Sequence, residues 1–294
     1  MIGFRQTAAR AAAVTVKGIA LAHLALGMAS AAAPDLKAMN EPHKPFKIYG
    51  NTYYVGTAGI SSVLVTSDYG HVLVDGGLPE SAPLIAKNIQ ELGFKLEDVK
   101  AIVFSHAHVD HVGGIAELQR LTGAQVYALR PAEPVLRTGK LQKDDPQAAA
   151  KSPAIPKVER VWVATDGQLL GVGGVRLRVY ATPGHTPGSA TWTWDACEGT
   201  SCLAFVYADS MNPVSAGKYR FRDHPEVVES FEQSLKLIEG LRCQILLTPH
   251  PDADTLQKLE QANNDPKALE DAEACKRFAQ QKREALQNRL AQES

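Results

Sequence analysis

Phe104–Gly114 reads FSHAHVDHVGG, and within six of its residues stand His106, His108, Asp110 and His111. The apolar run AIVF (101–104) precedes them and two glycines follow. A lone H-x-H pair says little, because most such pairs bind nothing. Four donors at the C-terminal end of a strand say more, and imidazole with carboxylate is a ligand set that suits zinc. Strand alternation predicts His106 and His108 on one side. The turn that follows carries Asp110 and His111 to a second point nearby. Gly113 and Gly114 are expected to leave a crowded site clear and to supply unusual backbone angles before the next helix.

Two later segments supply long-range partners. ATPGHTPGS (181–189) sets His185 in a tight Pro/Gly turn after an apolar strand, and ILLTPHPDA (245–253) sets His250 in the same context. Six donors make two trios: His106, His108 and His185 in one, Asp110, His111 and His250 in the other. Three protein ligands leave a zinc position open for water, the catalytic arrangement. The remaining histidines read as bystanders on the surface or at caps. His23 lies in the N-terminal leader, His43 in an irregular arm, His71 beside a turn and His224 before a helix.

Around these segments the chain alternates strands and helices. NTYYVGT, SSVLVTS and HVLVDGG (51–77) read as three strands separated by Gly or Ser-Asp clusters. SAPLIAKNIQELGF (81–94) has helical spacing of Leu84, Ile85, Ile89 and Leu92, ended by Gly93. VKAIVFS is a buried strand, GIAELQRLTG a helix and AQVYAL a strand, a rhythm that calls for an α/β fold with helices on a sheet. Residues 131–157 lack a period and read as a long loop, functional or mobile. Strands resume in VERVWVA, QLLGV and GVRLRVYAT, with GVGG (171–174) as a hairpin turn. SATWTWDA and CLAFVYAD follow as strands, HPEVVESFEQSLKLIEGL as a helix and CQILLT as a strand. The tail from Asp265 to Leu290 reads as one long helix, capped by Asp265 with Pro266 at its first position. The second half thus repeats the order of the first.

Composition narrows the class. Hydrophobic residues make up 45% and charged residues 21%, the profile of a globular protein. A net charge of −1 gives no electrostatic case for nucleic acid. Residues 1–33 have the order of a secretory signal peptide: Arg5, Arg10 and Lys17, then the apolar GIALAHLALGMA, then ASAAA. A retained anchor is the alternative, but the apolar segment is shorter than the roughly 20 residues a spanning helix needs. The expectation is a single domain, 34–294, periplasmic or secreted, with no membrane partner once the leader is removed. Four cysteines in an exported chain favour disulfides, buried free thiols being the alternative. Four cysteines allow three pairings, and the preferred one closes Cys197 with Cys202 locally and leaves Cys243 with Cys275. No C-x-x-C pair is present, which argues against a cysteine-built zinc knuckle.

VLVDGG (72–77), SHAHVDHVGG (105–114), TPGHTPG (182–188), VYADS (206–210) and TPHP (248–251) follow one another as in the metallo-β-lactamase superfamily. The chain resembles that family over nearly all of its length after the leader. The resemblance implies an αββα sandwich, two β-sheets packed together with helices on both outer faces. It also implies two Zn2+ per chain, divided between the two trios as above. In detail the chain looks like the third subclass of the metallo-β-lactamases proper, which has H-x-H-x-D-H with all four donors used. The first subclass has a cysteine ligand where this chain offers Ser210, and the second has asparagine in place of the first histidine. The run ADS, the pair 243/275 and the exported N-terminus resemble the third subclass; the pair 197/202 resembles only some of its members.

The activity so implied is hydrolysis of the β-lactam amide bond of penicillins, cephalosporins and carbapenems, conferring antibiotic resistance; the partner is a small-molecule substrate, and a monomer is the separate expectation for the assembly. Zinc lowers the pKa of water towards neutrality. His106, His108 and Asp110 are the catalytic expectations, with Asp110 both ligand and orienter of the nucleophile. Asp75 is expected to hydrogen-bond the metal-binding loop from outside. Ser210 and Asn212 resemble positions that hold the substrate carboxylate or a water, Asn212 departing from the commoner serine or threonine. Gln147, Lys218 and Tyr219 complete the substrate-binding set, each with solvated surface as the alternative. No G-x-S-x-G elbow is present, as expected if no acyl-enzyme forms. The competing reading is a thioester or lactone hydrolase of the same fold, like glyoxalase II or the acyl-homoserine lactonases. Those use an aspartate that bridges both metals, a role for which Asp209 could be mistaken. A non-catalytic zinc-binding protein is the third reading.

Overall fold

Strand runs that are apolar at every position, such as Val63–Val65, need cover on both faces. The computed structural model, which describes residues 1–3, 35–261 and 269–293, provides it. The N-terminal leader from residue 4, with its cleavage segment and His23, and the Asp265/Pro266 helix start lie outside the described residues.

The first sheet has seven strands in sequence order: β1 (Phe46–Tyr49), β2 (Thr52–Tyr54), β3 (Val63–Val65), β4 (His71–Val74), β5 (Val99–Val103), β6 (Gln125–Leu129) and β7 (Val161–Ala164). β1 to β4 pair antiparallel and β4 to β7 parallel. Parallel neighbours need crossovers. Helix α2 (Ala82–Glu91) makes the first of these, α3 (Val109–Val112) with α4 (Ile115–Thr122) the second, and α5 (Glu133–Thr138) lies in the third. The second sheet has the order β12-β11-β10-β9-β8, from β8 (Leu169–Val172), β9 (Val175–Ala181), β10 (Ala190–Glu198), β11 (Ser201–Tyr207) and β12 (Ile245–Leu247). Only β12 runs parallel to its neighbour, after the crossover helix α6 (Pro225–Glu239).

Alternation distributes the side chains. Val63, Val65, Val72 and Val74 meet Val179, Trp192, Phe205 and Tyr207 between the sheets. Leu64, Leu73 and Ile102 point the other way, onto Ile85 and Ile89 of α2 and Leu118 of α4. On the far side Val206 packs with Phe231 and Leu235 of α6 and with Phe278 and Leu286 of α8 (Ala274–Gln292). The result is the expected αββα sandwich. Trp192, buried between the sheets, donates its indole N–H to the carbonyl of Phe104 at 2.8 Å, which ties the second sheet to the end of β5.

Several boundaries differ from the sequence expectation. The arm before residue 50 contains a one-turn helix, α1 (Leu36–Met39), and the edge strand β1. Residues 131–157 contain α5. A further helix, α7 (Ala253–Gln261), follows β12, with Asp252 accepting from the backbone of Thr255 at 2.6 Å. The tail is not one unbroken helix: residues 269–273 lie outside α8, which begins at Ala274. The backbone N–H of Asp271 is spent on the carbonyl of Gln244, and Cys275 is held to Cys243, so the approach is pinned to the strand region. The hairpin at Gly173–Gly174 is as expected, with φ of +54° and +98° between the paired Val172 and Val175. Cys197 bonds Cys202 directly across the β10–β11 ladder.

Candidate metal centre

Every donor stands on a segment leaving the C-terminal end of a strand. β5 leads to His106, His108, Asp110 and His111, β9 leads to His185, and β12 leads to His250. β5 itself ends at Val103, so His106 and His108 lie on an extended loop, and Asp110 and His111 on the single turn α3. The structure brings the six together as two trios, each with its ligand atoms within 4.8 Å of one another: His106, His108 and His185, and Asp110, His111 and His250. The trios adjoin, with the His106 and His111 rings 4.2 Å apart between centroids.

In the first trio each imidazole spends one nitrogen outward. Nδ1 of His106 lies 2.8 Å from Oδ1 of Asp209. Nε2 of His108 lies 3.1 Å from Oδ2 of Asp145. Nδ1 of His185 lies 2.7 Å from the carbonyl of Asn212. These partners accept, so each ring donates there and keeps a lone pair on its other nitrogen. Three inward lone pairs on buried rings suit a cation. Burial, with the neighbouring histidines adding to it, holds His106 well below the usual imidazole range. The same causes bring His185 down to about 3.

The second trio shows the same outward pattern. Nδ1 of His111 lies 3.1 Å from Oδ2 of Asp75, and Nδ1 of His250 lies 3.1 Å from the carbonyl of Gly59. The two Nε2 atoms then face each other at 3.0 Å, and Oδ2 of Asp110 stands 3.3 and 3.2 Å from them. With both Nδ1 atoms donating outward, three acceptors converge here, and a metal cation or a shared proton would relieve their repulsion. Burial opposes a charge on His111, but Asp110 and Asp75 outweigh it and raise the imidazole to about 10, so without metal a proton takes that place. Two imidazoles and a carboxylate, or three imidazoles, are donor sets that fit zinc.

Asp75 lies where expected and does more than expected. It is fully buried, and its carboxylate accepts from the backbone and hydroxyl of Ser105, from His111 and from the hydroxyl of Tyr207. Its φ of 60° is left-handed, a strained setting for a residue other than glycine. The two glycines after the motif act differently from the expectation. Gly113 (φ −58°) and Gly114 (φ −82°) are ordinary helical residues. A side chain on Gly114 would collide with the carbonyls of Gly76 and Leu78, and one on Gly113 with Pro79. They let α3 press against the loop after β4.

Among the expected substrate residues, Ser210 and Asn212 line a cavity of about 290 Å³ that opens beside His250. Asn212 also orients His185 through its carbonyl. Gln147 reaches the site through its backbone, donating to Asp145 at 2.7 Å. Lys218 is exposed, and Tyr219 packs on Phe221 and His224 in the α6–α8 cluster. Neither hydrogen-bonds a trio residue among the described residues. His71, expected at the surface, is a buried strand residue packed edge-on against Phe94. His43 and His224 lie away from the trios, as expected. Asp145 and Lys282 were missed by sequence reasoning, and Asp209 was named there only as a residue that could be mistaken for a metal bridge, not as the partner of His106. The only hint for Asp145 was the DDP run at 144–146, which reads as an ordinary turn.

The profile of the metallo-beta-lactamase superfamily matches residues 55–198. Rm3 metallo-beta-lactamase is 46% identical with a TM-score of 0.84, the match covering 88% of this chain and 97% of that one. MEM-A1, a subclass B3 metallo-beta-lactamase isolated from a soil metagenome library, is 43% identical with a TM-score of 0.83, over 87% and 98%. The chain belongs to the metallo-beta-lactamase superfamily and is a zinc-dependent hydrolase by that membership. Its solved neighbours include members of subclass B3. A more distant curated relative, the hydroxyacylglutathione hydrolase of Rhodopseudomonas palustris (strain BisB5), is 28% identical over 66% of this chain and 71% of its own length.

Proposed function

We propose that the chain is a subclass B3-type β-lactamase that is exported and opens the amide bond of penicillins, cephalosporins and carbapenems, so conferring antibiotic resistance. The observation that carries this reading is the inward convergence of six lone-pair donors in two adjoining trios. Zinc bound there supplies a lowered pKa for water and polarises a carbonyl. His106, His108 and His185 would hold one ion and Asp110, His111 and His250 the other, every imidazole fixed in its tautomer by an outward bond. Oδ1 of Asp110 makes no hydrogen bond among the described residues. It orients the attacking water and takes its proton, which then passes to the lactam nitrogen as the C–N bond breaks. Asp75 keeps His111 turned inward, and Asp145 does the same for His108. The leader and the two disulfides support an oxidising destination.

The thioester reading has support in the hydroxyacylglutathione hydrolase relative. Against it stands the place of Asp209, which binds the outward nitrogen of His106 and belongs to neither trio. Steady-state turnover of nitrocefin and of S-lactoylglutathione separates the two. The lactamase reading expects nitrocefin turnover, and turnover of the thioester alone would overturn it.

A further inference from the structure

Lys282 stands on α8 with its ammonium in the cavity beside His250. The side chain is half-buried, and its Nζ donates to Oδ1 of Asn212 at 2.6 Å. The ring of Phe278 lies 5.2 Å from the same nitrogen. An ammonium carries three N–H groups, and no carboxylate among the described residues lies within ion-pair distance of this one. The other cation on the cavity wall, Arg277, is paired with Asp271. The Ser210 hydroxyl, buried on the same wall, donates no hydrogen bond among the described residues. Taking a cation out of water without a partner is unfavourable, and burial does pull the Lys282 ammonium below its usual range, with Asp209 opposing. The cavity therefore presents unspent donors and a positive charge, and it shares His250 with the second trio.

We propose that Lys282 is a specificity-determining residue that binds the ionised carboxylate carried by a β-lactam beside its ring nitrogen, with Ser210 as second donor and Asn212 holding the ammonium in place. An anion seated there directs the adjoining lactam bond towards Asp110, His111 and His250. This inference rests on the lactamase reading.

The experiment compares a cephalosporin with its methyl ester, which keeps the lactam and removes the charge. In the zinc-loaded wild type, the ratio of kcat/KM for acid to ester should be large. Lys282→Met should lower that ratio by about 10–100-fold, the span expected for hydrogen bonds to charged groups. The loss should sit in KM for the acid, with zinc content unchanged. Lys282→Arg should restore most of the ratio. If the methionine variant does not fold, Lys282→Gln, whose amide can still bond Asn212, should show the same loss. An unchanged ratio in a folded neutral variant overturns the assignment of Lys282 alone. A wild type that turns over neither acid nor ester overturns the lactamase reading, and this inference with it.

Discussion

At the scale of single residues, the site is organised by which nitrogen of each imidazole faces outward. Asp209, Asp145, Asn212, Asp75 and Gly59 accept those outward protons, so the rings are set before any metal arrives. Removing one acceptor frees a ring to turn. Asp145→Ala should therefore weaken zinc binding by about 10–100-fold, as loss of such partners typically does. Competition against a chromogenic chelator checks this, and unchanged affinity would show that His108 is held by its loop alone. The trios should also differ in their response to pH. In the metal-free chain His111, raised to about 10, carries a proton at neutrality that zinc must displace. His185, lowered to about 3, and His106, held well below its usual range, carry none. Binding at the second trio should thus release about one proton at pH 7 and weaken about tenfold per unit as pH falls below the His111 value. Binding at the first trio should release none from those two residues. Calorimetry in buffers of different ionisation enthalpy measures the release, and equal release at both steps would contradict the assignment.

Among the elements, strand ends do the positioning, and this made much of the site legible in advance. His106 to His111, His185 and His250 each follow an apolar run beside Gly or Pro, a pattern that marks a strand end reaching into a loop. The residue pattern alone called for a sheet with helices packed on it, and the αββα layers were an implication of the family resemblance; runs such as Val63–Val65, with no polar face to give to water, are covered on both sides in that arrangement. What stayed hidden had no local pattern. Asp145 sits in an aperiodic segment and gains its role only when that segment folds back on His108. Lys282 looks like one more solvated charge on a polar helix, and its placement depends on how α8 packs against α6. β1 is only four residues with a lysine in it, and α7 is nine mostly polar residues with two leucines, so neither rises above its surroundings in sequence. The tail was expected as one helix because Asp-Pro looks like a start, whereas residues 269–273 lie outside α8, with the backbone N–H of Asp271 bonded to Gln244. The disulfides should contribute unequally. Cys243–Cys275 spans 32 positions and Cys197–Cys202 only 5. Loop-closure entropy then assigns about 3–4 kcal/mol to the first and about 2 kcal/mol to the second. Urea unfolding of the two paired Cys→Ala variants tests the order, and a larger loss from the 197/202 pair would reverse it. Gly114→Ala should cost more than a usual surface change, because its methyl would meet two carbonyls of the loop after β4. A soluble, fully active variant would show that this loop can shift.

For the whole molecule, the two sheets act as one support. The first sheet brings His106 to His111 on one loop, the second brings His185 and His250, and Trp192 bonds across the seam to Phe104 just before the motif. Neither sheet holds a complete trio, so activity should be lost with the sandwich rather than before it. Among the described residues no helix is long and apolar enough to cross a membrane. The most direct test is a zinc titration of metal-stripped protein, following bound zinc and nitrocefin turnover together. Two ions per chain should bind, with turnover absent from the stripped protein and restored as the trios fill. Turnover that survives stripping, or zinc binding that persists when His185 and His250 are both replaced by alanine, would contradict the convergence of the six donors on which the account stands.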